Sequence, residues 1–194
     1  MTSMQRDTRT AILDAAQELI QTHGANGMSY QSISRVVKIR KASIHYHFPS
    51  KDKLIEEVIR RYSREFLGLV DGILVSSDSA PGKLRRYIGL FETTLRNGAG
   101  RRVCLCGMLG AELASLGNPA VSLLRRFYRD NAKRLARILE DGRKTRTLSF
   151  DGDPETMGEL IFSFLEGAMP VARADGGVKG FGRMTGQLLR NLGL

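Results

Sequence analysis

The sequence predicts an all-α protein of about nine helices. Three observations carry this. Apolar residues recur at three- and four-residue intervals along nearly the whole chain. No stretch shows the strict alternation of a half-buried strand, and glycine- or proline-containing breaks divide the helical periodicity into segments.

The first segment carries Ile12, Ala15, Ala16, Leu19 and Ile20 on one stripe and stops at Gly24, a residue suited to ending a helix. A short helix starts after Ser29, a good N-cap, with Ile33, Val36 and Val37 expected to face inward. Another begins near Lys41 and ends near Phe48. Ser50 is placed to cap the next helix, and Asp52 sits in its first turn, where the helix dipole favours an acid. That helix is long, with Leu54, Ile55, Val58, Ile59, Tyr62, Phe66, Leu69, Val70 and Ile73 as its expected apolar face. Pro81 opens a helix bearing Leu84, Tyr87, Ile88, Phe91 and Leu95. A short helix over about 104–116 follows, then a long basic one over 120–142 that buries Leu124, Phe127, Tyr128, Leu135, Ile138 and Leu139.

The last two helices, at about 154–174 and 178–192, carry surplus apolar surface. In the first, Met157, Leu160, Ile161, Phe164, Leu165 and Ala168 form one stripe, with Phe162 and Met169 on another side. Such a pair either closes the core of a single chain or forms a four-helix interface between two copies.

Composition narrows the partners. Thirty Lys and Arg against 20 Asp and Glu give a formal charge of +10, which favours anionic partners such as nucleic acid. No run approaches the roughly 18 apolar residues of a membrane span, and the N-terminal MTSMQRDTRTA lacks a leader pattern. Cys104 and Cys106, one residue apart, suit free thiols in a reducing compartment, so a cytoplasmic location is expected.

Residues 29–48, SYQSISRVVKIRKASIHYHF, carry the functional signal. Two short helices flank Lys38-Ile39-Arg40, the length of a helix-turn-helix turn. The second opens on the small residues Ala42 and Ser43, which permit close approach to a DNA groove. Arg40, Lys41, Ser43, His45, Tyr46 and His47 supply groups for phosphates and bases, and Lys51 stands ready for a flanking phosphate. His45 and His47, two residues apart on a helix, point about 200° away from each other and cannot share a metal ion; no metal or cofactor is expected.

The run Ile39-Arg40-Lys41-Ala42-Ser43-Ile44-His45-Tyr46-His47-Phe48-Pro49-Ser50-Lys51-Asp52-Lys53-Leu54, with Ile33 before it, resembles the DNA-binding signature of the tetracycline-repressor (TetR) family. The likeness spans about Thr8 to Tyr62. It implies a three-helix DNA-binding domain over 1–50 and a larger helical effector-binding and dimerisation domain over 51–194. It also implies a homodimer through the last two long helices, double-stranded operator DNA as partner and a small-molecule effector. Ser29 and Tyr30 match phosphate-contacting positions, Lys41 to His47 the recognition helix and Lys51 the family's phosphate-binding lysine. Lys38 stands where the family has a turn glycine and Arg40 where it often has Ser or Thr. Lys38 is therefore either held in a left-handed conformation, at about 1 kcal/mol, or the turn differs. His45 replaces a frequent Tyr, so base preference does not carry over.

Cys104-Leu105-Cys106-Gly107-Met108-Leu109-Gly110-Ala111-Glu112 resembles a subgroup in which a cysteine senses oxidants or electrophiles. Cys104 is the candidate sensor; the alternative is a pair of small buried hydrophobes. Phe66, Phe91, Cys104, Met108, Phe127, Tyr128, Phe162 and Glu166 are the candidate effector-pocket residues. An acid in the otherwise apolar helix around Leu165 must be exposed, paired or used. The face formed by Arg125, Arg126, Arg129, Lys133, Arg134 and Arg137 is expected to be solvated and met by counter-charges from other helices. The whole reads as an effector-responsive repressor rather than an enzyme. Two readings stand against it: a thiol redox enzyme, and a basic protein that binds DNA without sequence preference.

Overall fold

A computed structural model describes residues 3–194, with side chains from Asp7 onward; Met1 and Thr2, part of the stretch inspected for a leader, lie outside the described residues. Among these residues the fold is all-α, with nine α-helices: α1 (Ser3–Gly27), α2 (Tyr30–Val37), α3 (Lys41–His47), α4 (Lys51–Leu74), α5 (Ala80–Asn97), α6 (Leu105–Gly110), α7 (Asn118–Lys144), α8 (Pro154–Ala174) and α9 (Gly177–Asn191). No helix among them is long and apolar enough to cross a membrane. The chain forms two compact units. One comprises residues up to Ser63 together with Leu105–Arg125; the other comprises Arg64–Cys104 and Arg126–Leu194.

In the first unit α1 packs against α2 and α6, and α2 against α3. Ile12, Ala16, Ile20, Ile33, Ile44, Leu54, Val58 and Ile59 are fully buried there, each apolar side chain contributing on the order of 1.5–3 kcal/mol. Gly24 does not end α1 but kinks it, at φ 79° and ψ 173°, before a last turn to Gly27. Glu112 secures that kink: one carboxylate oxygen accepts from the amides of Ala25, at 2.6 Å, and Asn26, at 3.2 Å. These are donors that the restarted helix cannot satisfy itself. A Cβ on Gly24 would collide with the same carboxylate.

The segment read as one helix over 104–116 is instead α6 followed by a 3-10 turn, Leu113–Ser115, with Glu112 between them. Placing the Glu112 carboxylate on the α1 kink accompanies this break. Val36 is also not inward-facing: it is 60 % exposed, and Ile33 alone is fully buried on α2. Leu69 of α4 is likewise exposed.

The second unit is built on α5, α8 and α9, which pack on one another, and on most of α7. Leu84, Tyr87, Phe91, Leu95, Phe127, Leu135, Ile138, Leu139, Ile161, Leu165, Met169 and Phe181 form its core. Both apolar sides of α8 are buried as expected, Ile161, Leu165 and Ala168 on one and Phe162 and Met169 on the other, but Leu160 leaves the first stripe for solvent. Leu160 and Val171 are exposed by 58 % and 57 %. The expected counter-charge to the α7 basic face is present: Asp71 of α4 accepts from Nε and Nη2 of Arg134 at 2.7 and 2.9 Å, which lowers the pKa of Asp71 from its ordinary value.

Candidate nucleic-acid interface

Ser29 begins α2 with a reciprocal cap. Its hydroxyl accepts from the Ser32 amide at 3.1 Å, and its own amide donates to Ser32 Oγ at 2.9 Å. The helix ends at Lys38, whose φ of 59° and ψ of 42° are left-handed. Of the two alternatives for this turn, the structure adopts the one with Lys38 held left-handed. Ser34 fixes it: the Ser34 hydroxyl donates to the Ile39 carbonyl at 2.6 Å, and the Lys38 and Ile39 amides donate to the Ser34 carbonyl. Lys38→Gly should raise the unfolding free energy by about 0.5–1 kcal/mol by removing the Cβ strain, measurable as a higher midpoint in urea.

Helix α3 starts at Arg40 without a side-chain cap. Ile44 and Phe48 anchor it in the core, while Arg40, Lys41, Ala42, His45 and Tyr46 (72 % exposed) face solvent and Ser43 and His47 are half-buried. Tyr30 is a bracing residue: its hydroxyl donates to the Phe48 carbonyl at 2.7 Å, and its ring meets the His45 ring edge-on at 4.6 Å. Burial, and then the charge of Asp52, raise its pKa above the ordinary phenol value. The hydroxyl proton of Tyr30 is thus committed within the protein. Lys51, half-buried, opens α4 just past the Ser50 cap, which accepts from the Lys53 amide at 3.2 Å. The two histidines have separate aromatic neighbours, His45 with Tyr30 and His47 with Tyr46.

The other candidate site lies in the second unit. Phe66, Phe91, Phe127, Tyr128 and Phe162 form one aromatic cluster: the Phe66 ring lies 5.5 Å from Phe91 and 5.6 Å from Phe127. Phe162 meets Phe91, Phe127 and Tyr128 at 6.3, 6.0 and 5.9 Å. Tyr87 joins at 5.7 Å from Phe91 and donates its hydroxyl proton to Asn131 Oδ1 at 2.8 Å; neither residue was legible as a site candidate in the sequence. Both carboxylate oxygens of Glu166 are buried and accept no hydrogen bond of ordinary geometry. Burial lifts its pKa from about 4.5 to about 7, opposed by a hydrogen-bonding interaction with the Cys104 thiol. Cys104 is buried, and its amide points to Met169 Sδ at 3.3 Å. Met108 is half-buried on α6 in the first unit.

The Glu166 shift has a thermodynamic consequence. The folded state holds a proton that the unfolded state releases above about 4.5, so stability present below that pH is lost as pH rises to about 7. A shift of this size amounts to about 3 kcal/mol. Glu166→Gln should therefore melt higher than the parent at pH 8, and the advantage should shrink towards pH 4.5. Equal gains at both values would contradict the assignment.

A family model described as bacterial regulatory proteins, tetR family, matches residues 12–58, and one described as a tetracyclin repressor-like C-terminal domain matches residues 80–187. The transcriptional regulator AcuR of Cereibacter sphaeroides is 24 % identical over 166 residues, covering 85 % of this chain and 76 % of the relative. The HTH-type transcriptional repressor NemR of Escherichia coli K12 is also 24 % identical, covering 84 % and 83 %. A solved TetR-family regulator from Agrobacterium tumefaciens superposes with a TM-score of 0.91 at 32 % identity, covering 97 % of this chain and 98 % of that one.

Proposed function

On the premise that the chain belongs to the tetR family of DNA-binding transcriptional regulators, we propose that it is a homodimeric repressor that leaves a palindromic operator when a small effector binds. One observation carries the operator reading: α3 is anchored from beneath by Ile44 and Phe48 while Arg40, Lys41, Ala42, His45 and Tyr46 stand in solvent. That division suits a helix laid in the major groove, with two copies reading half-sites about 34–36 Å apart or a multiple of that. Ser29 and Lys51 at the two flanks are assigned to phosphates, as is Tyr30 through its amide, since its hydroxyl is engaged. Residues 1–50 form the DNA-binding domain in this reading and 51–194 the effector and dimerisation domain.

The exposed stripe of α8, namely Leu160, Ser163, Gly167 and Val171, supports dimerisation through α8 and α9. Gly167 and Gly182 have open space where a Cβ would stand, so a second backbone can approach closely. The effector site is assigned to Phe66, Phe91, Cys104, Phe127, Tyr128, Phe162 and Glu166, all in the second unit. Helix α4, which begins at Lys51 and carries Phe66, is the proposed mechanical link. An effector acts only through its differential affinity for the two arrangements of that helix.

Selecting bound duplexes from a random pool with purified protein tests the function. Enrichment of a palindrome supports it; uniform recovery favours binding without sequence preference. Lys51→Ala should weaken binding to every duplex alike and reduce the salt slope by about one unit. The thiol beside Glu166 supports a second trigger, alkylation of Cys104. A Cys104→Ser protein that still released operator on electrophile treatment would remove it.

A further inference from the structure

Both carboxylate oxygens of Glu166 are buried, and they meet no donor stronger than the Cys104 thiol. Its surroundings are chemically specific. Phe162 precedes it by one turn on the same face of α8 and brings with it the rings of Phe91, Phe127 and Tyr128. The polar groups nearby offer little. Tyr87 of α5 has committed its proton to Asn131 of α7, and the Cys104 thiol is a weak donor. The cation that acts on Tyr87 is Arg134, held by Asp71; among the described residues no cationic side chain acts on Glu166.

An isolated buried carboxylate is costly unless a partner supplies charge and donors. Aromatic faces carry negative potential and therefore favour a cation and disfavour an anion. We propose that Glu166 anchors the effector site, and that the effector is a hydrophobic organic ammonium whose N–H groups donate to this carboxylate while its apolar body lies against Phe91, Phe127, Tyr128 and Phe162. The inference rests on the effector-site reading above and adds the ligand class. Two oxygens that meet no donor stronger than a thiol favour a primary or secondary ammonium over a quaternary one. The rings already touch one another, so entry has to part them, and the ligand stabilises the parted arrangement.

The test is calorimetric titration of the full-length protein with 2-phenylethylammonium, beside its neutral and anionic counterparts 2-phenylethanol and 3-phenylpropionate. The ammonium should bind at least tenfold more tightly than either, and Glu166→Gln should remove that preference. A variant-free arm uses pH. The empty site holds a proton below about 7, while the ammonium stays protonated. Affinity should therefore fall about tenfold per pH unit below 7, with a proton released on binding at pH 6. Equal binding of all three probes, or a preference for ammonium that survives in Glu166→Gln, overturns the proposal. Binding of only the neutral or anionic probe, with release of operator, overturns the ligand class and leaves the effector site standing. Binding of none overturns the ligand class, and a mixed compound pool tested for operator release then decides the effector reading by itself.

Discussion

Gly158→Ala should lower the melting temperature by about 10 °C, the equivalent of about 3 kcal/mol in a chain of this size. A Cβ at this position would stand 2.7 Å from the Ala132 carbonyl oxygen and 3.1 Å from the Ala136 amide nitrogen. Both obstacles are backbone atoms of α7. No rotamer change relieves them, so α8 and α7 have to separate or α8 has to bend. The consequence extends past stability, because Phe162 and Glu166 follow Gly158 by one and two turns on the same face of α8. Differential scanning calorimetry measures the first effect. An unchanged melting temperature would show that the seam between α7 and α8 is looser than its geometry. By contrast, Gly167→Ala, on the opposite face with nothing within 4 Å, should leave the melting temperature of the monomeric fold nearly unchanged.

Much of the first unit is legible in the sequence because its signals are local. Ser29 caps α2 and Ser50 caps α4, each through neighbours within a few positions, and both caps are formed in the structure; for Lys38 the left-handed conformation is the one of its two alternatives that the structure adopts. What the sequence hides is long-range. Glu112 closes the α1 kink from 87 positions away, and no local pattern connects the two, so Gly24 reads as a helix end. Periodicity also reports how many faces of a helix are apolar, but not what each one meets. Helix α8 has two such sides, both of them core through Ile161, Leu165, Phe162 and Met169, and periodicity does not reveal that Leu160, at the margin of the first, stands in solvent. In the candidate sites, Glu166 is detectable because an acid in an apolar helix demands an explanation. Tyr87 and Asn131, whose side chains complete that region, look like ordinary members of α5 and α7. Tyr30 is a long-range case as well: the resemblance marks it for phosphate, and only the fold reveals that its hydroxyl is engaged by the Phe48 carbonyl, 18 positions away.

The exposed face of α8 carries the prediction with the largest effect on function. Replacing Leu160 and Val171 together by glutamate should yield a monomer that keeps its helical content and loses operator affinity by at least about a hundredfold. The two side chains are already 58 % and 57 % exposed in the single chain, so the charges cost little there. In the proposed dimer each would be repeated across the twofold axis, and four buried, unpaired carboxylates would oppose association. A single head retains its own phosphate and base contacts but loses the second half-site, whose binding the dimer makes effectively intramolecular. Sedimentation and operator titration on the same samples separate the causes. A variant that stays dimeric and bound places the interface elsewhere. A monomer with undiminished affinity would mean that one head suffices and that the operator need not be a palindrome.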